Sequence, residues 1–292
     1  MKFTITSFST ALYSTWIFVE ELGLLIDAGD GVAAGLLGKC GKIRHAFITH
    51  PDRDHLTGLP QFVQLNARGS YPVIYYPKDA GSFPAMADFL SKFDPHVADL
   101  PWQGIVDGEQ IEIKQNMVVR ALRNEHVPVP VGVHKSLSYQ VFETKRKLKP
   151  ELQGLDQNEI KKIAAEQGQE ALTYAVENKA LSFSGDTPVD DYSKWDGSQI
   201  LMHEATFLQE EGDGHVEARG NRHSTLEEVI RMASEIDLGT LILNHFSSRY
   251  DREAIDTALR GFLKKYPLDI PLHLVYPGEI KRDILSQEPF NA

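Results

Sequence analysis

The chain has 292 residues, enough for one large hydrophobic core or for two halves sharing an interface. Its 30 Lys and Arg against 41 Asp and Glu leave a net charge of −11, which argues against broad nonspecific nucleic-acid binding through phosphate contacts but leaves room for a local basic patch. Cys40 is the only cysteine, so neither an intrachain disulfide nor a thiolate-rich zinc site can be built, and the cytoplasm is the expected compartment.

Taken in chain order, "TWIFVE" and "LGLLIDAG" read as two strands. Glu20 and Glu21 interrupt the apolar run between them, so neither a signal segment nor a membrane partner is expected. "HAFITH" is the next strand; a ligand-rich loop and the helix-like "LPQFVQL" follow it, then the strand "PVIYYP" and the helix "PAMADFLSKF". "MVVRAL" and "SLSYQVFE" are further strands. The charged, weakly apolar stretch 145–170 should be a surface excursion, with a helical pattern over "NEIKKIAAEQGQEALTYAVE". "ALSFSGD" and "ILMHEAT" return to strand. In "TLEEVIRMASEI", Ser224 and Glu227 form an S-x-x-E capping box, and Leu226, Val229, Ile230, Ala233 and Ile236 share one helix face. "TLILNHF", the helix "REAIDTALRGFLKKY" and the strand "LHLVYPG" complete the pattern. Many strands with interspersed helices predict an α/β layered architecture, and no internal repeat divides the chain.

The chemistry concentrates at strand ends. "THPDRDHLTGLP", residues 49–60, brings His50, Asp52, Asp54 and His55 into six positions directly after an apolar strand, where the loop can fold side chains back onto a point. Imidazole with carboxylate suits zinc, manganese or iron, and neighbouring ligands of alternating direction can serve two ions. Asp186, His203 with Glu204, and His245 end three later apolar runs in the same way, as an active site along one edge of a sheet requires. His45 and His273 lie inside strand patterns and read as packed, His96 as a surface residue, and the Gly-rich acidic loop 210–223 as disordered or as a lid over the site.

The ordered set "THPDRDHLTGLP", "SLSYQVFE", "FSGDT", "HEATF", "RHST" and "HFSSRY" resembles the metallo-β-lactamase superfamily and, within it, the ribonuclease Z group. The resemblance implies a single domain over 1–292 with a four-layer αββα sandwich and a dinuclear metal site, zinc first and manganese or iron as alternatives. It implies that His50 and Asp52 bind one ion, that Asp54 and His55 bind the other, that Asp186 bridges them and that His245 completes the second site. His126 in "RNEHVPVP" is the favoured further ligand of the first site and His134 in "GVHKSLSY" the alternative. Glu204 and His223 match the family's proton-handling pair, Asp54 its hydroxide-orienting carboxylate, and a homodimer is implied.

Three departures stand beside the resemblance. Asp52 occupies the position of the family's second histidine, which makes the site more anionic, weakens the ions as Lewis acids and favours harder metals such as manganese. "SFSTALYST" replaces a glycine-rich opening loop, and the long tRNA-clamping arm with its Gly-Pro-rich tip is missing. The expected function is therefore a metal-dependent phosphodiesterase in which a metal-bound hydroxide attacks phosphorus, with a small phosphodiester or nucleotide as substrate and RNA kept as a second class. A hydrolase of a small ester, thioester or lactam, or a metal-binding sensor with weak turnover, are the alternatives.

Overall fold

The computed structural model describes residues 2–209, 217–218 and 220–292. The first half builds a six-stranded sheet whose spatial order follows the sequence: β1 (Ile5–Thr10), β2 (Ser14–Val19), β3 (Leu24–Ile26), β4 (His45–Phe47), β5 (Val73–Pro77) and β6 (Trp102–Ile105). Helices α1 (Val32–Leu36), α2 (Arg53–Leu56), α3 (Leu59–Asn66) and α4 (Ser82–Phe93) lie in the crossovers that make β3 to β6 parallel.

In the second half, β7 (Gln110–Lys114), β8 (Met117–Arg123), β9 (Leu137–Leu148) and β10 (Thr173–Phe183) form an antiparallel meander, with α5 (Gln157–Gln167) and α6 (Gln169–Leu172) between its last two strands. β11 (Leu201–Glu204) is followed by a two-stranded ribbon of β12 (Glu217–Ala218) and β13 (Asn221–Arg222), by α7 (Leu226–Glu235), β14 (Leu241–Asn244), α8 (Arg252–Lys265) and β15 (Leu272–Leu274). The seven-stranded sheet runs β15-β14-β11-β10-β9-β8-β7, parallel from β10 to β15.

Alternation along the strands divides the apolar side chains among three cores. Ile17, Ile26 and Phe47 of the first sheet meet Val119, Tyr139 and Phe183 of the second between the sheets. The first sheet's outer face packs Phe18, Leu25 and Ile74 against Leu59, Phe62 and Phe83 of α3 and α4. The second sheet's outer face packs Leu201 and Leu243 against Val229, Ile230 and Ile255 of α7 and α8. This is the four-layer αββα sandwich. Each such fully buried side chain stabilises it by about 1.5–3 kcal/mol. Among the described residues no helix is long and apolar enough to cross a membrane.

Several elements differ from the sequence-based expectation. β1, β6 and β7 carry no long apolar run: β7 alternates exposed and half-buried residues at a sheet edge, and β1 buries Thr6, Ser7 and Ser9. The helical pattern expected through Glu177 stops at Leu172, and Thr173 onward pairs with β9 as strand. Beyond Phe142 and Lys179 this β9–β10 pair projects, with only half-buried and exposed positions, and carries α5 and α6 at its end. A strand pair with both faces toward water needs no apolar alternation, so its charges had hidden it. The α7 capping box is formed by Thr225 and Glu228, one residue later than expected, because Ser224 Oγ turns inward to donate to the Thr187 carbonyl at 2.5 Å.

Candidate metal centre

The parallel strands of both sheets end at the same edge, where α/β sheets present their binding residues. β3 delivers Asp27, β4 delivers Thr49 and His50, β10 delivers Asp186, β11 ends on Glu204, and β14 delivers His245. β8 runs into the turn that carries His126, and α2 presents Asp54 and His55 from its single turn.

Two ligand groups share Asp186. In the first, Asp52 Oδ2 lies 3.7 Å from both His50 Nε2 and His126 Nε2. In the second, His245 Nε2 lies 3.4 Å from Asp54 Oδ2 and 3.3 Å from His55 Nε2. Asp186 Oδ2 stands between them, 3.7 Å from His50 Nε2, 3.4 Å from His55 Nε2 and 3.3 Å from His245 Nε2. Within each of the triads His50–Asp52–His126, His50–His55–Asp186 and Asp54–His55–His245, the ligand atoms lie within 4.8 Å of one another.

The donor set fits divalent cations on an observation independent of any resemblance. His50 and His126 are fully buried, and the Nε2 atom of each has no hydrogen-bond partner. A buried imidazole nitrogen without a partner costs about 1–3 kcal/mol, and two aimed at one carboxylate-lined point are satisfied by a cation. The opposite ring nitrogens are already committed: His50 Nδ1 to Thr49 Oγ1 at 2.9 Å, His55 Nδ1 to Asp27 Oδ2 at 2.8 Å, His245 Nδ1 to Thr206 Oγ1 at 2.9 Å, and His126 Nδ1 as donor to the Arg222 carbonyl at 2.8 Å. These partners turn each Nε2 toward the centre. Mixed imidazole and carboxylate donors suit zinc, manganese or iron.

The electrostatics follow from crowding. Burial, with repulsion from the His55 and His126 rings, holds His50 well below its ordinary pKa. Burial works the same way on His55, but Asp186, Asp27 and Asp54 outweigh it and raise that imidazole well above the usual range. Burial would raise Asp54, yet His55 and His245 hold it low; Asp186 is held well below the carboxylate range against burial by His245, His55 and His50. Beside the ligands, His223 Nδ1 lies 3.1 Å from Glu204 Oε1 and 3.8 Å from Asp186 Oδ2. Burial opposes protonation of His223, but Glu204 and Asp186 push it up to about 9. A cleft of about 100 Å³ opens over this arrangement, lined by Leu12, Asp52, Asp54, Phe207, His223 and Arg249 among others.

The residues expected as metal ligands and as the proton-handling pair are brought together; His134, the alternative to His126, and His203, expected beside Glu204, are not. His134 stands apart: its backbone N–H donates to Asp79 Oδ2 and its ring accepts from the Asp107 N–H, 3.5 Å away. His203 points to the opposite face of β11, where its ring meets Trp195 edge-on and Nδ1 donates to the Glu204 carbonyl; alternation along a strand separates it from Glu204. His45 stacks on Tyr75, His273 is buried within β15, and His96 is exposed. Most of the expected lid over 210–223 lies outside the described residues. Asp27, Thr49, Thr206, Asn221 and Arg222 were not anticipated. Asp27 carried a readable signal, since it follows the apolar run "LGLLI" as Asp186 follows "ALSF".

Comparison with known proteins gives the same outline. The profile described as "Beta-lactamase superfamily domain" matches residues 24–246. tRNase Z TRZ1 of Arabidopsis thaliana is 30% identical over 223 residues, covering 73% of this chain and 76% of the relative. Ribonuclease Z of Methanocaldococcus jannaschii is 28% identical over 289 residues, covering 90% and 89%. The crystal structure of the short form of human tRNase Z matches 95% of this chain and 98% of its own with a TM-score of 0.58 at 18% identity, a likeness of fold.

Proposed function

The chain belongs to the beta-lactamase superfamily, in its ribonuclease Z group, and from that premise we propose a metal-dependent phosphodiesterase acting on a small phosphodiester or nucleotide. The observation that carries the reading is the pair of buried, unpartnered Nε2 atoms of His50 and His126, which face Asp52 in a ligand set continued through Asp186 to Asp54, His55 and His245. His50, Asp52 and His126 would hold one divalent ion and Asp54, His55 and His245 the other, with Asp186 shared. Zinc is the first candidate, with manganese or iron as alternatives. When bound, the ions supply Lewis acidity toward the phosphoryl oxygens and the attacking water.

The chain's own groups do the rest. Asp54, fixed by the Leu12 N–H at 2.8 Å, presents its carboxylate at the cleft and orients the attacking water. Glu204 binds His223 Nδ1, and its own position is set by the Thr187 N–H at 2.8 Å and the Thr206 hydroxyl at 2.5 Å. The other ring nitrogen of His223, Nε2, then carries the proton delivered to the leaving oxygen. RNA is the second reading. The projecting β9–β10 pair with α5 and α6 favours it, as do relatives named for tRNA processing. A homodimer and a cytoplasmic location complete the proposal.

The test is turnover of bis(p-nitrophenyl) phosphate by protein carrying its measured complement of metal. Hydrolysis lost on chelation and restored by re-adding the ion is expected. Well under one ion per chain, with no uptake on reconstitution, would refute the reading.

A further inference from the structure

The second position of the metal-binding loop, where the resemblance expects a histidine, is Asp52, and its side chain is 45% exposed. An aspartate exposed to that degree is free to swing into water, whereas its neighbours His50 and His126 are fixed by packing and by their Nδ1 bonds. A side-chain amide restrains it: Asn221 Nδ2 donates to Asp52 Oδ2 at 3.2 Å, from β13. A carboxylate oxygen has two lone pairs, so Oδ2 can accept from Asn221 and still face the point on which the unpartnered His50 Nε2 and His126 Nε2 converge.

The same short segment grips the next ligand. The Arg222 N–H donates to the His126 carbonyl at 2.9 Å while His126 Nδ1 donates to the Arg222 carbonyl at 2.8 Å, and the following residue is His223. Residues 221–223 therefore act on Asp52, His126 and Glu204 in succession.

We propose that Asn221 is a positioning residue which holds the Asp52 carboxylate on the first ion, and that the Asn221–Asp52 pair tunes this site toward manganese(II) or iron(II) relative to the histidine-containing form. The inference rests on the metal-centre reading above and adds which residue sets the selectivity of one half of it. Two imidazoles with a carboxylate form a harder set than three imidazoles, and hard oxygen donors narrow the advantage that zinc holds over manganese.

The experiment titrates chelator-stripped full-length protein with Mn²⁺ and, separately, Zn²⁺ by calorimetry, with bound metal counted by elemental analysis. The proteins are wild type, Asn221→Ala, Asp52→His and the double variant. Asn221→Ala should weaken one of the two binding events by ~10–100-fold, as loss of a partner to a metal ligand does, and leave the other unchanged. Asp52→His should shift the zinc-to-manganese affinity ratio of that same event toward zinc by roughly tenfold or more. In the Asp52→His background, Asn221→Ala should have no further effect. Unaltered binding in Asn221→Ala overturns the proposal, as does an equal loss in both backgrounds, which would mark Asn221 as merely structural. Far-UV circular dichroism and melting confirm that each variant is folded. Ion titrations that behave as expected in protein that hydrolyses no diester would remove the phosphodiesterase reading and leave this assignment standing.

Discussion

Asp54 and His223 line the same cleft in different surroundings. The Asp54 carboxylate faces His55 Nε2 at 3.6 Å and His245 Nε2 at 3.4 Å, and the proposed reading gives it two tasks, as ligand and as the group that orients the nucleophile. Asp54→Ala should abolish hydrolysis of bis(p-nitrophenyl) phosphate with the far-UV spectrum unchanged; a variant with wild-type turnover would remove Asp54 from the reaction. His223 contacts Glu204, and its proposed task is proton delivery to the departing oxygen. His223→Ala should slow turnover by ~10²–10⁴, the range of lost acid–base catalysis, and more on an alkyl ester than on a nitrophenyl ester. Equal rates for wild type and variant on the poorer leaving group would contradict that role.

At the scale of elements, α7 shows where local chemistry decides a boundary. Its N-terminus is closed by Thr225, whose hydroxyl accepts from the Glu228 N–H at 3.2 Å while Glu228 Oε2 accepts from the Thr225 N–H at 2.9 Å. Thr225→Ala should cost about 1 kcal/mol, read as a lower urea midpoint at unchanged slope; an unchanged midpoint would mean that the helix is held by packing alone. The sequence pattern of "HSTLEE" offers two overlapping boxes, and only the inward turn of Ser224 onto Thr187 decides between them. Such tertiary choices explain what sequence reading could and could not reach. The ends of β4, β10 and β14 were legible because an apolar run followed by His or Asp is a local signal. β1 and the projecting half of the β9–β10 pair were not, since one buries hydroxyls and the other buries little. Asn221 was invisible because its partner Asp52 is 169 residues away.

For the molecule as a whole, the metal centre is also a seam. Asp54, His55 and His50 come from the half that forms the first sheet, and Asp186 and His245 from the second, so two bound ions would tie the sheets together at one edge. Ligand at a hundred times its dissociation constant stabilises by about 2.7 kcal/mol, so chelation should lower the melting temperature; equal melting with and without metal would exclude such a tie. Charge at the same scale bears on the proposed substrate. Processing of a folded RNA needs several Lys or Arg contacts that release counterions. The net charge here is −11, and in the stretch 145–170 Lys145, Arg146, Lys147, Lys149, Lys161 and Lys162 are offset by Glu151, Asp156, Glu159, Glu166 and Glu170. The structure makes this stretch part of a projecting element, which supplies reach, but its near-balanced charge supplies little grip on phosphate. The metal centre needs one phosphate and a clamp needs many, so precursor tRNA should be cut weakly beside measurable hydrolysis of a small diester. A side-by-side assay of one metal-replete preparation at a single salt concentration decides it. Specific cleavage at the 3′ side of an acceptor stem, more efficient than turnover of any small diester, would overturn the prediction and make the projecting element an RNA-holding arm.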